Sequence, residues 1–521
     1  MPLHNDTNMT HTTNIIDAAP IPSPENPKDI LNDLLDPYHV MRMRAMEARF
    51  EDDQQERLSA IQDSVAAWIE STLLGQEIDY GKYDQSAVEA KMYALADYLW
   101  AHHADDVSQE EVEATRLFVD STFGVYEEVM ADDADISRIQ SILSYAFLVP
   151  GRASRKNEDY GTESELIIPI LRYVPNKYRS LFIHGVPPFI LDFYEEDEDG
   201  DRGAVICALV SPEDMFPEKA DFESDAEYNT AFMTAGLQAI QGVQNATEFA
   251  RRLGAEVAGY GAVLPRITDY GSRIDSKGMF TTTGHAGTIV LIFQTIQAAI
   301  EQGIIDEQAT NSIAIAGLGK IGASIAHLTP TYYPDATITI FDSRQPLTRT
   351  IADEMEQNGA DVHVAQSMQE LLSSSPVAIM AITSKLPPKD MAALKPDSFI
   401  IDDSQPACVD PDVALRYGAT VAWVVGMQED GARRKGDWNF GNFPDKDNLF
   451  GCEAEMLVLS QLRKDLAKRG YSAEEIDEKT REAALTGPVT PEKVILWRQL
   501  FDKYRIRPAR LQSFGKYVLS N

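Results

Sequence analysis

The sequence predicts an α/β protein: a doubly wound parallel sheet of the Rossmann type joined to an α+β substrate domain, with an extra N-terminal helical region. Three observations carry this. The run NSIAIAGLGKIGASIAHL from Asn311 joins an apolar strand to a GxGxxG turn and a helix. Strands and helices then alternate as far as Val425. Between Ile167 and Val210, short β-rich runs replace the helical spacing of the preceding segments.

Taken in order, residues 1–26 are rich in Thr, Asn and Pro, lack periodicity, and are predicted to be a disordered tail. Residues 27–165 form the helical region, with apolar residues at helical spacing in DILNDLL, RLSAIQDSVAAWIESTLL and AVEAKMYALADYLWAHH. Residues 166–288 form the substrate domain, where FILDFYEEDEDGDRGAVICALV reads as a hairpin with an Asp-Gly turn at its acidic tip. The tip is not a calcium loop: with Gly200 at loop position six, position twelve is Ile206, which cannot chelate. Residues 289–426 form the dinucleotide-binding domain, and 427–521 a C-terminal helical segment that carries Cys452.

Within the dinucleotide-binding domain the spacing predicts strands at Ser312 to Ala316, Ala336 to Phe341, Asp361 to Val364, Val377 to Ile382, Phe399 to Asp402 and Val421 to Val425. Gly317 makes the tight turn, Gly319 lets the backbone approach a pyrophosphate, and Gly322 allows close helix-to-strand packing. Lys320 and Ile321 open the helix, whose free N–H groups suit the phosphates. Asp342 ends the second strand about 20 residues past the last glycine, where a carboxylate binds ribose hydroxyls. The expected cofactor is NADH or NADPH: Asp342 favours NADH because it repels a 2′-phosphate, Arg344 and Arg349 offset that repulsion and leave the choice open, and Ser343 and Arg344 are expected among the cofactor-binding residues. Thr383, Ser384 and Lys385 are expected on the nicotinamide side, beyond the carboxyl end of the fourth strand. The same reasoning selects Asp402, Asp403 and Ser404, with a plain turn as the alternative for DDSQP.

With 82 acidic against 46 basic residues among 521, the net charge of −36 argues against a nucleic-acid partner. No apolar run reaches the length of a membrane span and the N-terminus has no export pattern, so a cytoplasmic protein is expected. The three cysteines form no CxxC and the nine histidines no HExxH, so no metal site is expected. From Lys493 to Lys516, seven basic residues face one acidic residue, a solvated helix face or a dock for an acidic partner.

Cys207 falls in a strand and reads as core; Cys408 lies in a Pro-bounded loop without an activating group. Cys452, in DNLFGCEAEMLVL, falls where an amphipathic helix should start, with Asp447 or Asn448 as N-cap. A thiol in a first turn is acidified by the helix dipole, whereas Glu453 and Glu455 nearby oppose this. The residues alone leave Cys452 evenly balanced between nucleophile and filler.

Three stretches resemble the long-chain acyl-[acyl-carrier-protein] reductases, which form fatty aldehydes: FTTTGHAGTIVLIFQTIQAAIEQGI, the strand-GxGxxG-helix unit after it, and NLFGCEAEMLVL. The likeness covers roughly residues 167–468. It implies that Cys452 takes an acyl group from acyl carrier protein or acyl-CoA as a thioester, which a nicotinamide hydride then reduces. It implies that Glu455 orients the thiol or shuttles its proton, with a helix salt bridge as the plainer reading. His285 falls in the site-facing segment, where that family has asparagine, as a candidate acid or carbonyl polariser. The chain departs from the family in carrying Gly319 and Asp342 and in its length and acidity. Two other readings stand beside it. TTGHAG before GLGKIG also resembles amino-acid and shikimate-type dehydrogenases, which need no cysteine, and an NAD(H)-binding regulatory protein would show no turnover.

Overall fold

In this computed structural model the described residues are 55–73, 85–131, 142–151, 168–194, 202–210, 224–382, 384–404, 407–429 and 443–518. The expected disordered tail, the acidic hairpin tip and Thr383 lie outside them, as do Arg433, Arg434 and Lys435, a second basic run that the sequence offers as a dock for an acidic carrier protein or for acyl-CoA phosphates. Among them no helix is long and apolar enough to cross a membrane.

Three helices come first: α1 (Gln55–Thr72), α2 (Gln85–His103) and α3 (Gln109–Met130). The sequence SQEE starts α3 through a capping box, in which Ser108 and Glu111 each satisfy the other's backbone N–H. A five-stranded sheet follows, made of β1 (Tyr145–Pro150), β2 (Phe189–Phe193), β3 (Gly203–Ala208), β4 (Val257–Tyr260) and β5 (Phe280–Thr282), in the order β2-β3-β1-β4-β5. The expected hairpin is the antiparallel pair β2–β3, and the other pairs are parallel.

One expectation is corrected here. Tyr145–Pro150, assigned with the helical region, is the central strand of this sheet. Its run YAFLVP is buried throughout. Ala146 and Leu148 pack with the helix α4 (Asp225–Arg252) on one face, and Phe147 and Val149 join the main core on the other. A strand covered on both faces loses the polar alternation by which a strand is read.

Helix α5 (His285–Glu301) leads into the second sheet, of β6 (Ser312–Ala316), β7 (Thr337–Phe341), β8 (Asp361–Val364), β9 (Val377–Met380), β10 (Phe399–Asp402) and β11 (Thr420–Trp423). Its order, β8-β7-β6-β9-β10-β11, all parallel, is that of a Rossmann sheet, with the switch point between β6 and β9. Helices α6 (Lys320–Tyr332) and α7 (Gln345–Gln357) follow β6 and β7. Ile313, Ile315, Ile338 and Ile340 pack on one face, and Ala314, Ala316, Ala378 and Met380 on the other. The fold class is therefore α/β with a Rossmann-type sheet. Finally α8 (Gly451–Lys468), α9 (Ala473–Ala483) and α10 (Pro491–Lys503) return the chain to the first sheet, where Gly259 of β4 packs on Met456.

Candidate active site

The turn after β6 forms the floor of a cradle. Gly317 has φ of +84°, and a Cβ there would lie 2.3 Å from the Ala381 carbonyl beyond β9, so only glycine fits the switch point. A Cβ on Gly322 would strike the Gly317 carbonyl at 1.8 Å, as expected of the glycine that seats helix against strand. A Cβ on Gly319 would meet nothing within 4 Å: the space beside it is open. No side chain caps α6 there, so its first N–H groups stay available to an anion. These residues fit a dinucleotide pyrophosphate.

Asp342 stands at the end of β7, as expected, but its carboxylate is already engaged. Oδ2 accepts the Leu318 N–H (2.8 Å) and Arg344 Nη2 (2.9 Å), and Oδ1 accepts the Arg344 N–H and Nε (both 2.9 Å). The Arg344 guanidinium foremost, with these N–H groups, holds the carboxyl well below its ordinary range. Asp342 thus meets a cofactor as half of an ion pair, which removes the repulsion of a 2′-phosphate expected from a lone carboxylate. Ser343, Arg349 and Ser384 are exposed.

Beyond β10, Asp402 anchors its own loop, as the turn reading of DDSQP expects. It accepts the backbone N–H groups of Ser404 (2.9 Å), Cys408 (2.9 Å) and Val409 (3.0 Å). The Cys408 thiol donates to the same carboxylate at 3.2 Å, and burial with that charge pushes it far up. Cys207 is core.

Cys452 occupies the first turn of α8, whose N-cap is Phe450 rather than Asp447 or Asn448. The Phe450 N–H is satisfied by Glu453 Oε2 at 3.2 Å, while Asn448 pairs in a small strand and accepts from Gln512 at 2.7 Å. Helices α5 and α8 cross glycine to glycine at this point. A Cβ on Gly284 would lie 2.0 Å from the Cys452 Cβ, and one on Gly451 would lie 2.5 Å from Thr288. Such an approach is open only to residues without side chains.

Of the two opposing influences on the Cys452 thiol, the raising one prevails. Burial, then the Glu453 charge, push Cys452 up to about 12, and the opposing pull of the Ala262 N–H does not compensate. Glu453 is itself buried, with Oε1 accepting the Tyr194 hydroxyl at 2.7 Å. Among the described residues Glu455 makes no helix salt bridge. It reaches across to α5, whose N-cap Gly284 has no side chain, and accepts the N–H groups of Gly284 (3.2 Å) and Gly287 and the Thr282 hydroxyl. Burial outweighs these bonds and raises its carboxyl to about 7.

His285 follows Gly284, with Nδ1 2.9 Å from the Thr283 hydroxyl. Burial, and then the Lys320 charge, lower it to about 4, so it is a neutral imidazole at neutral pH, suited to polarising a carbonyl and not to acting as an acid. Its ring lies 5.1 Å from that of Tyr270, over which the Lys320 ammonium stands at 5.4 Å. Lys320 is the first residue of α6, so the cradle and the cysteine adjoin. The connector between α9 and α10 ties the two sides together. Leu485 O accepts the Thr283 N–H (3.0 Å), the Gly487 N–H reaches Tyr270 O (2.8 Å), and Val489 O accepts the Ser324 hydroxyl of α6 (3.4 Å). Sequence reasoning found neither Tyr270, Thr282 nor this connector, because no local pattern marks a residue that acts by long-range contact.

The basic C-terminal cluster is largely at the surface, with Arg498, Lys503, Arg505, Arg510 and Lys516 exposed, but part of its charge is engaged within the chain. Lys503 pairs with Asp465 (2.9 Å), Arg507 with Asp502 (2.9 Å), and Lys493 bonds the carbonyls that end α9.

No protein-family model matches the chain, and no curated protein matches it. Solved structures are similar in part. A dipicolinate synthase component from Bacillus halodurans is 19% identical over 34% of this chain and 60% of its own, with a TM-score of 0.24. Quinate dehydrogenase from Corynebacterium glutamicum is 13% identical over 54% of this chain and 87% of its own, with a TM-score of 0.27. The malic enzyme of Entamoeba histolytica is 12% identical over 81% and 87%, with a TM-score of 0.33. The chain thus spans about 60% of the length of the dipicolinate synthase component. At these scores nothing about this chain's reaction follows from them.

Proposed function

We propose that this protein is an NAD(P)H-dependent reductase that converts a long-chain fatty acyl thioester, presented on acyl carrier protein or coenzyme A, to a fatty aldehyde through an acyl-Cys452 intermediate. The observation that supports it most is the meeting of cradle and cysteine. Gly284 abuts Cys452, and its neighbour His285 shares Tyr270 with Lys320, the residue that opens the cradle's helix.

Cys452 rests as a thiol, so attack on a thioester needs a base. Glu455, raised to about 7, is matched to that task at neutral pH. As the Cys452 sulfur bonds to the acyl carbon, its proton passes to Glu455 and on to the departing thiol of the carrier. His285, neutral, donates to the carbonyl oxygen as charge builds there. Gly317, Gly319, Lys320 and Ile321 would hold the pyrophosphate, and the Asp342–Arg344 pair would meet the ribose. A reduced nicotinamide dinucleotide held there would supply the hydride for reducing a Cys452 thioester to the aldehyde, and the Cys452 sulfur would regain its proton from solvent. Overall, thioester, NAD(P)H and a proton become aldehyde, free thiol and NAD(P)+.

The test is to incubate the protein with radiolabelled palmitoyl-CoA, or palmitoyl-carrier protein, without nicotinamide, and denature it. Hydroxylamine-sensitive label in wild type and none in Cys452→Ala is expected. No label from either donor overturns the covalent reading and leaves the non-covalent dehydrogenase, which keeps its activity in Cys452→Ala.

A further inference from the structure

Among the described residues, four of the seven non-glycine residues with positive φ lie between Ala262 and Lys277, a segment whose Ala262 backbone bonds the Cys452 thiol and whose Tyr270 ring lies by His285. Two of them, Asp269 (φ 48°) and Tyr270 (φ 56°), are consecutive, and Gly271 (φ 81°) continues the left-handed run. A side chain is disfavoured there, so something else must hold this turn. Two backbone bonds do: the Tyr270 N–H donates to Pro265 O at 2.6 Å, and Tyr270 O accepts the Gly487 N–H at 2.8 Å. The turn is built to hold the ring of Tyr270 in one place.

That place lies between the two halves of the site. The ring is half-buried, with the His285 imidazole on one side and the Lys320 ammonium on another. A dinucleotide whose pyrophosphate rests on Gly319 and Lys320 must bring its nicotinamide toward Cys452 to act there. Tyr270 is the aromatic side chain that touches both the start of the cradle's helix and the segment abutting Cys452.

We propose that Tyr270 is a nicotinamide-positioning residue, its ring forming the wall against which the cofactor's nicotinamide packs in reach of Cys452. The proposal rests on the cofactor part of the functional reading and deepens it. An aromatic wall suits a flat heterocycle, and the adjacent Lys320 ammonium offers a donor to the polar edge of that ring. The packing is that of the ring and does not use the hydroxyl.

Binding distinguishes this role from a structural one. Affinities for NADH, NADPH and ADP-ribose, which keeps the pyrophosphate and lacks nicotinamide, are measured by titration calorimetry. They are compared in wild type, Tyr270→Phe and Tyr270→Leu, with circular dichroism to check folding. Tyr270→Leu is expected to weaken the preferred nicotinamide dinucleotide roughly ten-fold, a typical return for one aromatic stack. ADP-ribose binding stays unchanged, and Tyr270→Phe restores wild-type affinity. Equal weakening of both ligands, or of neither, overturns the proposal while leaving the thioester reading intact. Failure of wild type to bind any of the three overturns it together with the cofactor reading. If Tyr270→Leu does not fold, Tyr270→Met, which keeps the bulk without the ring, takes its place.

Discussion

The cradle and the cysteine pocket adjoin at Tyr270, yet they handle charge in opposite ways. The cradle keeps its cations near solvent: Lys320 is exposed, and Arg344 neutralises Asp342 with its side chain 60% accessible. The cysteine pocket buries its carboxylates, with Glu453 at 1% and Glu455 at 0% exposure. Asp342, paired near water, is held ionised, whereas Glu455 in the interior is pushed toward its neutral form. The first arrangement suits standing binding of an anion, and the second suits a proton that must move. Substitutions on each side should therefore fail in different ways.

The largest effect is expected from Cys452→Ala. If the thiol carries the acyl group, aldehyde formation from acyl-CoA or acyl-carrier protein falls about a thousand-fold or more. Dinucleotide affinity, which belongs to the cradle, stays at the wild-type value. A matched loss of both would mean that the two halves are not separable.

Glycine substitutions sharpen the contrast. Gly284→Ala sets a Cβ on Cys452 at a left-handed φ of 76°, and is expected to cost about 2 to 4 kcal/mol of stability, read as a lowered midpoint of chemical unfolding. Gly319→Ala meets no protein atom and has φ of −68°, so it should fold normally and lose only dinucleotide affinity. A folded Gly284→Ala with full activity would refute the close helix crossing.

Glu455 gives stability and activity opposite responses to pH. Its carboxyl holds a proton more tightly folded, at about 7, than unfolded, near its ordinary value of 4.5. The stability it contributes is complete below about 4.5 and is lost as pH rises to 7, a change on the order of 3 kcal/mol. If Glu455 is the base, it works only when ionised, so kcat/KM should rise with pH toward a plateau above 7. Glu455→Gln is expected to flatten the stability profile over that window and to lower kcat/KM about a hundred-fold. A variant that still shows the wild-type rise in kcat/KM would assign the base elsewhere.

The two sides also differ in how far they could be read from residues alone. The cradle is local: GLGKIG punctuates strand from helix, and β6, β8 and β10 fall at the bounds that apolar runs and turns imply. The cysteine pocket is assembled from β4, α5, α8 and the connector after α9, segments far apart in the chain. Cys452 and Glu455 drew attention by type, but the rise of the thiol to about 12 depends on burial that no spacing reveals. Phe450 took the N-cap from Asn448 because the asparagine was needed in a strand pair. β1 went unread because helices cover both its faces.

The smallest effect separates the two cofactors. Arg344 occupies all the acceptor positions of Asp342 not taken by Leu318, so a ribose hydroxyl must compete with a bidentate guanidinium, while a 2′-phosphate meets that guanidinium as a partner. Arg344→Ala frees the carboxylate. NADPH then faces an uncompensated negative charge and NADH gains an acceptor, so the ratio of their dissociation constants should move toward NADH by about ten-fold, the scale of one charged hydrogen bond. Aldehyde formation at saturating NADH should be unchanged, because Arg344 touches nothing in the cysteine pocket. A ratio that does not move would mean that the Asp342–Arg344 pair braces the glycine turn through Leu318 and does not read the ribose.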